Sequence, residues 1–195
     1  MEAFLISTGV VALAEMGDKT QLLSLVLAAR FRKPWTICLG ILAATLANHA
    51  FAAAVGAWVT TVLGPDVLRW ILGLSFLAMA VWILIPDKLD DEDSATPRRL
   101  GVFLTTTAAF FMAEMGDKTQ VATVALAAQY QAFVAVVAGT TLGMMVANAP
   151  AVFAGDALMK RVPIGVVHKV AAVVFALLGI AALLGLDGLR LDGLL

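Results

Sequence analysis

The sequence predicts an all-α integral membrane protein, with six transmembrane helices built as two inverted three-helix repeats. Three observations predict it. Of 195 residues, 62% are hydrophobic and only 14% charged, against about 25% charged in an ordinary soluble domain. Six apolar stretches approach the roughly 20 residues that a helix needs to cross a bilayer. One eight-residue motif occurs twice, on the first and fourth of those stretches. This composition, with a mean hydropathy of +0.96, excludes a soluble globular domain, a disordered chain and a coiled coil. A formal net charge of −1 gives nucleic acid no electrostatic footing. A single cysteine, Cys38, forms no internal disulfide, and with only two histidines a soft His/Cys zinc site is excluded.

The expected spans are Ala3–Ala29, Trp35–Leu63, Val67–Ile85, Leu100–Ala128, Ala132–Met159 and Val162–Leu186. The third and sixth carry Arg69 and Lys169 near their starts, where long side chains can snorkel to the interface. Trp35, Trp58, Trp70 and Trp82 all fall near expected span ends, as an interfacial belt does. Ala12-Leu13-Ala14 has the look of a signal-peptidase site, but no Lys or Arg precedes it and the same context recurs inside the chain. Cleavage is not expected. With six spans, one side holds Arg30, Arg32, Lys33, Lys88, Arg98, Arg99, Lys160, Arg161 and Lys169, and the other only Arg69 and Arg190. The positive-inside bias places both termini outside and the acidic loop 87–99 in the cytoplasm, which for a bacterium is the inner membrane. That loop carries Asp87, Asp90, Asp91, Glu92 and Asp93 without the glycine and spacing of an EF-hand, so it reads as solvated.

Ala14-Glu15-Met16-Gly17-Asp18-Lys19-Thr20-Gln21 recurs unchanged as Ala113-Glu114-Met115-Gly116-Asp117-Lys118-Thr119-Gln120, an offset of 99 residues. Leu27-Ala28-Ala29 and Gly40 recur at the same offset, and Ala47-Asn48 matches Ala147-Asn148 after a one-residue slip. The chain therefore divides into a first repeat, 1–86, a linker, 87–99, and a second repeat, 100–195. Three spans per repeat is an odd number, so the second enters the membrane from the opposite side, a build common among secondary transporters.

The motif charges lie near mid-span, where each costs about 2.5–3.5 kcal/mol on insertion scales. They must be paired, protonated or facing a wet cavity. On a continuous helix, positions 15, 18, 19 and 22 share one face, so Lys19 and Lys118 can balance Glu15 and Glu114 at i+4. Inverted repeats bring such motifs together at the midplane. The pooled charge of four carboxylates and two ammonium groups is −2, which one divalent cation neutralises. Glu15, Asp18, Glu114 and Asp117 supply hard oxygen ligands suited to Mg²⁺, Ca²⁺ or Mn²⁺. Gln21, Gln120, Asn48 and Asn148 can complete the shell. Burial favours a protonated carboxyl and a bound cation favours the carboxylate, so metal and protons compete for one site. Blander roles stand beside these. The lysines can be plain ion pairs, the asparagines interhelical glue, and Thr20 and Thr119 can bond back to helix carbonyls. His49 reads as a packed or pore-lining side chain, Gly139 and Gly143 as a helix-packing pair, Asp156 as wet, and Pro150 as a kink.

The doubled Glu-x-Gly-Asp-Lys-Thr motif resembles the signature of the Gdt family of cation/proton exchangers, which includes bacterial manganese exporters and eukaryotic Golgi manganese/calcium transporters. Residues 15–20 and 114–119 match that signature in full. The resemblance implies that Glu15, Asp18, Glu114 and Asp117 bind the transported cation, with Mn²⁺ the first expectation and Ca²⁺ the second. It implies no cofactor, the metal being cargo. The expected partners are a divalent ion, protons and the lipid bilayer, with function as a monomer or homodimer. Two other classes touch the same residues. Asp18 and Asp117 follow glycines inside membrane helices, as in Gly-x-Gly-Asp intramembrane proteases, but a glutamate replaces the first glycine and the adjacent lysine opposes a shared proton. An enzyme is therefore not expected. An exporter of a small organic solute would want an apolar pocket, and few aromatics lie near the motifs.

Overall fold

The computed structural model describes residues 1–85, 101–154 and 163–185. The linker 87–99, with Lys88, Arg98 and Arg99, lies outside the described residues, as do Asp156, Lys160, Arg161 and Arg190. Every element described is helical: α1 Glu2–Glu15, α2 Lys19–Phe31, α3 Pro34–Val62, α4 Pro65–Trp82, α5 Val102–Glu114, α6 Lys118–Tyr130, α7 Phe133–Ala154 and α8 Ile164–Leu184. Proline opens α3 and α4, where its missing N–H costs nothing. Among the described residues, α3, α4, α7 and α8 are long and apolar enough to cross a membrane. The four remaining helices have 13 or 14 residues each, about 20 Å at 1.5 Å per residue.

The expected first and fourth spans are thus not continuous helices. Each is two short helices meeting end to end at the motif. The cause is local. Gly17 and Gly116 adopt positive φ, +83° and +79°, a region open to glycine and strained for most other residues. Asp18 and Asp117 then cap the following helix in extended backbone. The single helical face expected for residues 15, 18, 19 and 22 does not exist, because the chain changes direction between Glu15 and Lys19.

Helices of the first half pack chiefly on helices of the second. α1 lies against α7, where a methyl on Gly139 would sit 2.5 Å from the Phe4 carbonyl oxygen and one on Gly143 2.6 Å from that of Thr8. The helix-packing reading of that glycine pair is borne out. α3 lies against α5 in the corresponding way, with Gly40 facing the Phe103 carbonyl and Thr106. Phe103 and Thr106 stand 99 residues after Phe4 and Ser7, and Ser7 flanks Gly139. α4 and α8 run antiparallel, touching at Gly73 and Gly179 and through the rings of Phe76 and Phe175, 6.3 Å apart. Small residues let these backbones approach closely, the usual basis of helix association in lipid. All four tryptophans are exposed and occur within a few residues of the ends of α3 or α4.

Candidate metal centre

The two breaks have the same construction. Met16 and Met115 leave their helices in extended backbone, φ −64°, ψ 115° and φ −66°, ψ 116°. Asp18 N–H donates to the Glu15 carbonyl and Asp117 N–H to that of Glu114, both at 3.1 Å. The Gly17 N–H donates to Gln21 Oε1 at 2.7 Å, and the Gly116 N–H to Gln120 Oε1 at 2.8 Å. Each glutamine stands third in its helix and reaches back beyond the cap, a displaced relative of the capping box. The first turns of α2 and α6 carry partial positive charge at the aspartates, and the last turns of α1 and α5 carry partial negative charge at the glutamates. Broken helices in transporters aim such ends at charged cargo.

All four motif carboxylates are buried. Oxygens of Glu15, Glu114 and Asp117 lie within 4.8 Å of one another. Glu15 Oε1, Glu114 Oε1 and Asp117 Oδ2 have no hydrogen-bond partner among the described residues. The other oxygen of each glutamate accepts a hydroxyl hydrogen bond: Thr20 donates to Glu15 Oε2, and Thr119 to Glu114 Oε2 at 2.8 Å. The threonines therefore do not bond back to a helix carbonyl. They hold the glutamates, because the break moves the usual acceptor out of reach.

Asp18, also buried, pairs with a lysine of the opposite motif. Lys118 Nζ is 3.7 Å from Asp18 Oδ1, and Lys19 Nζ is 3.6 Å from Asp117 Oδ1. The i,i+4 pairing expected within each motif is replaced by pairing between motifs. Once the helix breaks, each lysine starts a new helix pointing away from its own glutamate and toward the opposite aspartate. Lys118 also donates to the Ile85 carbonyl at 3.1 Å.

The amide side chains form a frame around the carboxylates. Gln21 Nε2 donates to the Ala147 carbonyl at 2.8 Å, while Gln120 Nε2 donates to Asn48 Oδ1 at 2.5 Å. Asn148 Oδ1 accepts from Ser24 at 2.8 Å, and Asn48 Nδ2 donates to the Phe111 carbonyl at 3.3 Å. All four amide oxygens accept a hydrogen bond from the protein. The one-residue slip also disappears. α3 and α7 start 99 residues apart and run unbroken, so Ala147 falls at the position of Asn48 and Asn148 at that of His49. The partners of Gln21 and Gln120 obey that register, a backbone carbonyl on one side and a side-chain oxygen on the other. Pro150, inside α7, removes the N–H that would bond the Val146 carbonyl, one residue before the carbonyl that Gln21 takes.

His49 is fully buried, with Nε2 4.0 Å from Glu114 Oε2. It sets an imidazole beside Glu114. Its place, opposite the second motif, was not legible from the linear sequence. The helix break left a signal that the continuous-span reading passed over: Gly-Asp-x-x-Gln is a helix start placed in mid-span.

The geometry has the elements of a carrier: two broken helices, converging acids and balancing lysines. Residues 3–91 and 102–188 match the family model described as "Divalent cation/proton antiporter GDT1". The chain belongs to the GDT1 family. It is 54% identical over 182 residues to a Vibrio cholerae protein named "Putative manganese exporter", covering 93% of this chain and 90% of that one. A GDT1-like protein of Synechocystis is 25% identical over 202 residues, covering 93% and 97%. GDT1-like protein 4 of Oryza sativa subsp. indica is 28% identical over 200 residues, covering 89% and 70%. No solved structure matches. As a GDT1 member the chain is a multi-pass membrane transporter, a cation/proton antiporter and not an enzyme, as the motif suggested.

Proposed function

We propose that this antiporter exports a divalent cation, Mn²⁺ first and Ca²⁺ second, from the cytoplasm in exchange for protons. The cation is held by Glu15, Asp18, Glu114 and Asp117. The single observation that carries the reading is the buried trio of Glu15, Glu114 and Asp117, each with an oxygen unpartnered among the described residues and all within 4.8 Å. Carboxylates this close in a medium of low dielectric repel strongly when ionised. They are stable when they share protons or share a cation, and exchange is the alternation between those two states. Oxygen donors suit Mn²⁺ and Ca²⁺, and the name of the Vibrio relative favours manganese. Gln21, Gln120, Asn48 and Asn148 hold the frame in this reading, and Lys19 and Lys118 set the net charge at −2.

The same reading carries the topology. Six spans form two inverted three-helix repeats, 1–86 and 100–195, about a cytoplasmic linker 87–99. Both termini lie outside, in the inner membrane of a bacterium. An inside-negative potential opposes export by about 2.3 kcal/mol per charge per 100 mV, so two or more entering protons per Mn²⁺ make the cycle electrically neutral or better. Purified protein titrated with Mn²⁺ is expected to bind one ion per chain, and binding is expected to vanish in Glu114→Gln. Unchanged binding after neutralising all four carboxylates would overturn the site.

A further inference from the structure

The two motifs match in backbone but not in cover. At the first, Ile164 at the start of α8 packs on Gly17, and His168 Nε2 lies 2.7 Å from the Met16 carbonyl oxygen. The chain just after α4 also approaches the site, where the Ile85 carbonyl accepts from Lys118. At the second motif Met115 and Gly116 are exposed, Met115 by 47%. Among the described residues nothing lies within 4 Å of the place a Gly116 methyl would take. Lys19, which faces Asp117 of the second motif, is 21% exposed, whereas Lys118, which faces Asp18 of the first, is only 2% exposed.

The repeat names the missing cover. α4 and α8 start 99 residues apart, and Arg69 on α4 stands at the offset of His168 on α8, as Pro65 stands at that of Ile164. Arg69 is instead beside Gly185 at the far end of α8, and its Nε has no hydrogen-bond partner among the described residues. Non-helical backbone at membrane depth is tolerated only where protein buries it or where it lines a water-filled cavity. The exposed turn at Met115–Gly116 therefore needs water or a cover that moves.

We propose that His168 and Arg69 are the two alternating latch residues of the antiport cycle. His168 closes the first motif in this structure, and Arg69 closes the second, on the Met115 carbonyl, in the opposite state. The moving unit is the α4–α8 pair, joined at Gly73, Gly179, Phe76 and Phe175. With loop 87–99 cytoplasmic, which rests on the topology proposed above, this structure is closed to the cytoplasm and open to the outside.

The test is cysteine accessibility in oriented vesicles, in a Cys38→Ser background, with a membrane-impermeant maleimide. Met115→Cys is expected to label rapidly from the outside and Met16→Cys slowly from either side. His168→Leu should raise labelling of Met16→Cys from the cytoplasmic side and lower that of Met115→Cys, changing the ratio about three- to tenfold for one lost hydrogen bond. His168→Gln, which can still donate to the Met16 carbonyl, should restore it. Arg69→Leu should leave Met115→Cys permanently reactive and slow turnover at unchanged Mn²⁺ KM. Equal change at both reporters in His168→Leu, or no rescue by His168→Gln, would reduce His168 to a packing residue and overturn the proposal. A Met115→Cys that never reacts, as when a second copy covers it, would overturn it too. The labelling pattern does not depend on the cargo, so it can stand or fall apart from the manganese reading.

Discussion

Replacing Lys118 by Met removes one partner from a buried ion pair and takes from Asp18 the ammonium that faces it. At 3.7 Å and an effective dielectric near 20, the attraction is about 4 kcal/mol. Loss of one partner of a buried pair is known to cost about 3–5 kcal/mol. For a chain of this size that is a fall in Tm of roughly 6–20 °C. Lys19 makes the symmetric pair at 3.6 Å but is 21% exposed, so water screens it and Lys19→Met should cost about 1 kcal/mol or less. Thermal unfolding in detergent, followed by tryptophan fluorescence, measures both. The rescues carry the sharper information. Pairing between motifs requires that Asp18→Asn restore Lys118→Met, and Asp117→Asn restore Lys19→Met, because removing both charges leaves no buried orphan. If Glu114→Gln rescued Lys118→Met and Asp18→Asn did not, the pairs would be the intra-motif ones of a continuous helix, and the broken-helix account would be wrong.

Other consequences follow from the same contacts. Thr119→Val deletes the hydroxyl bond to Glu114, and bonds to charged groups are worth about 1.5–3 kcal/mol. Mn²⁺ affinity should change by tenfold or more while Thr119→Ser stays near wild type, as isothermal titration can check. Gly143→Ala should weaken the α1–α7 contact, since its methyl would meet the Thr8 carbonyl oxygen at 2.6 Å, whereas Gly9→Ala has nothing within 4 Å among the described residues. A loss of folded protein for the first and none for the second is the expected result of detergent size-exclusion profiles. Gln21→Leu should leave the Gly17 N–H without its acceptor and free the Ala147 carbonyl, lowering Tm by several degrees with the carboxylates intact.

The membrane class, the repeat and the acidic residues were legible because composition and an eight-residue identity are properties of the linear chain. The junction at Glu15–Lys19 was legible only in part. Hydropathy sees a continuous apolar stretch through it, and the i,i+4 rule presumes the helix it is applied to. A positive φ at Gly17 redirects Lys19 to Asp117, and no spacing rule within one motif can reveal a partner in the other. The asparagine register misled for a related reason. Matching letters favoured a slip, whereas two unbroken helices allow none, and the equivalent of Asn48 is a backbone carbonyl, at Ala147, which sequence comparison does not register. His49 escaped because its significance is the 4.0 Å approach to Glu114, set by the packing of α3 and not by any pattern around residue 49.

Exchange of a divalent metal for protons at the buried acids is tested most simply by Mn²⁺ and Ca²⁺ flux in proteoliposomes under an imposed pH gradient, beside the Asp18→Asn protein. Gradient-driven Mn²⁺ movement that is abolished in the variant, with the protein still folded and inserted, is the predicted result. Flux of neither metal from well-folded protein, or equal flux from Asp18→Asn, would contradict it.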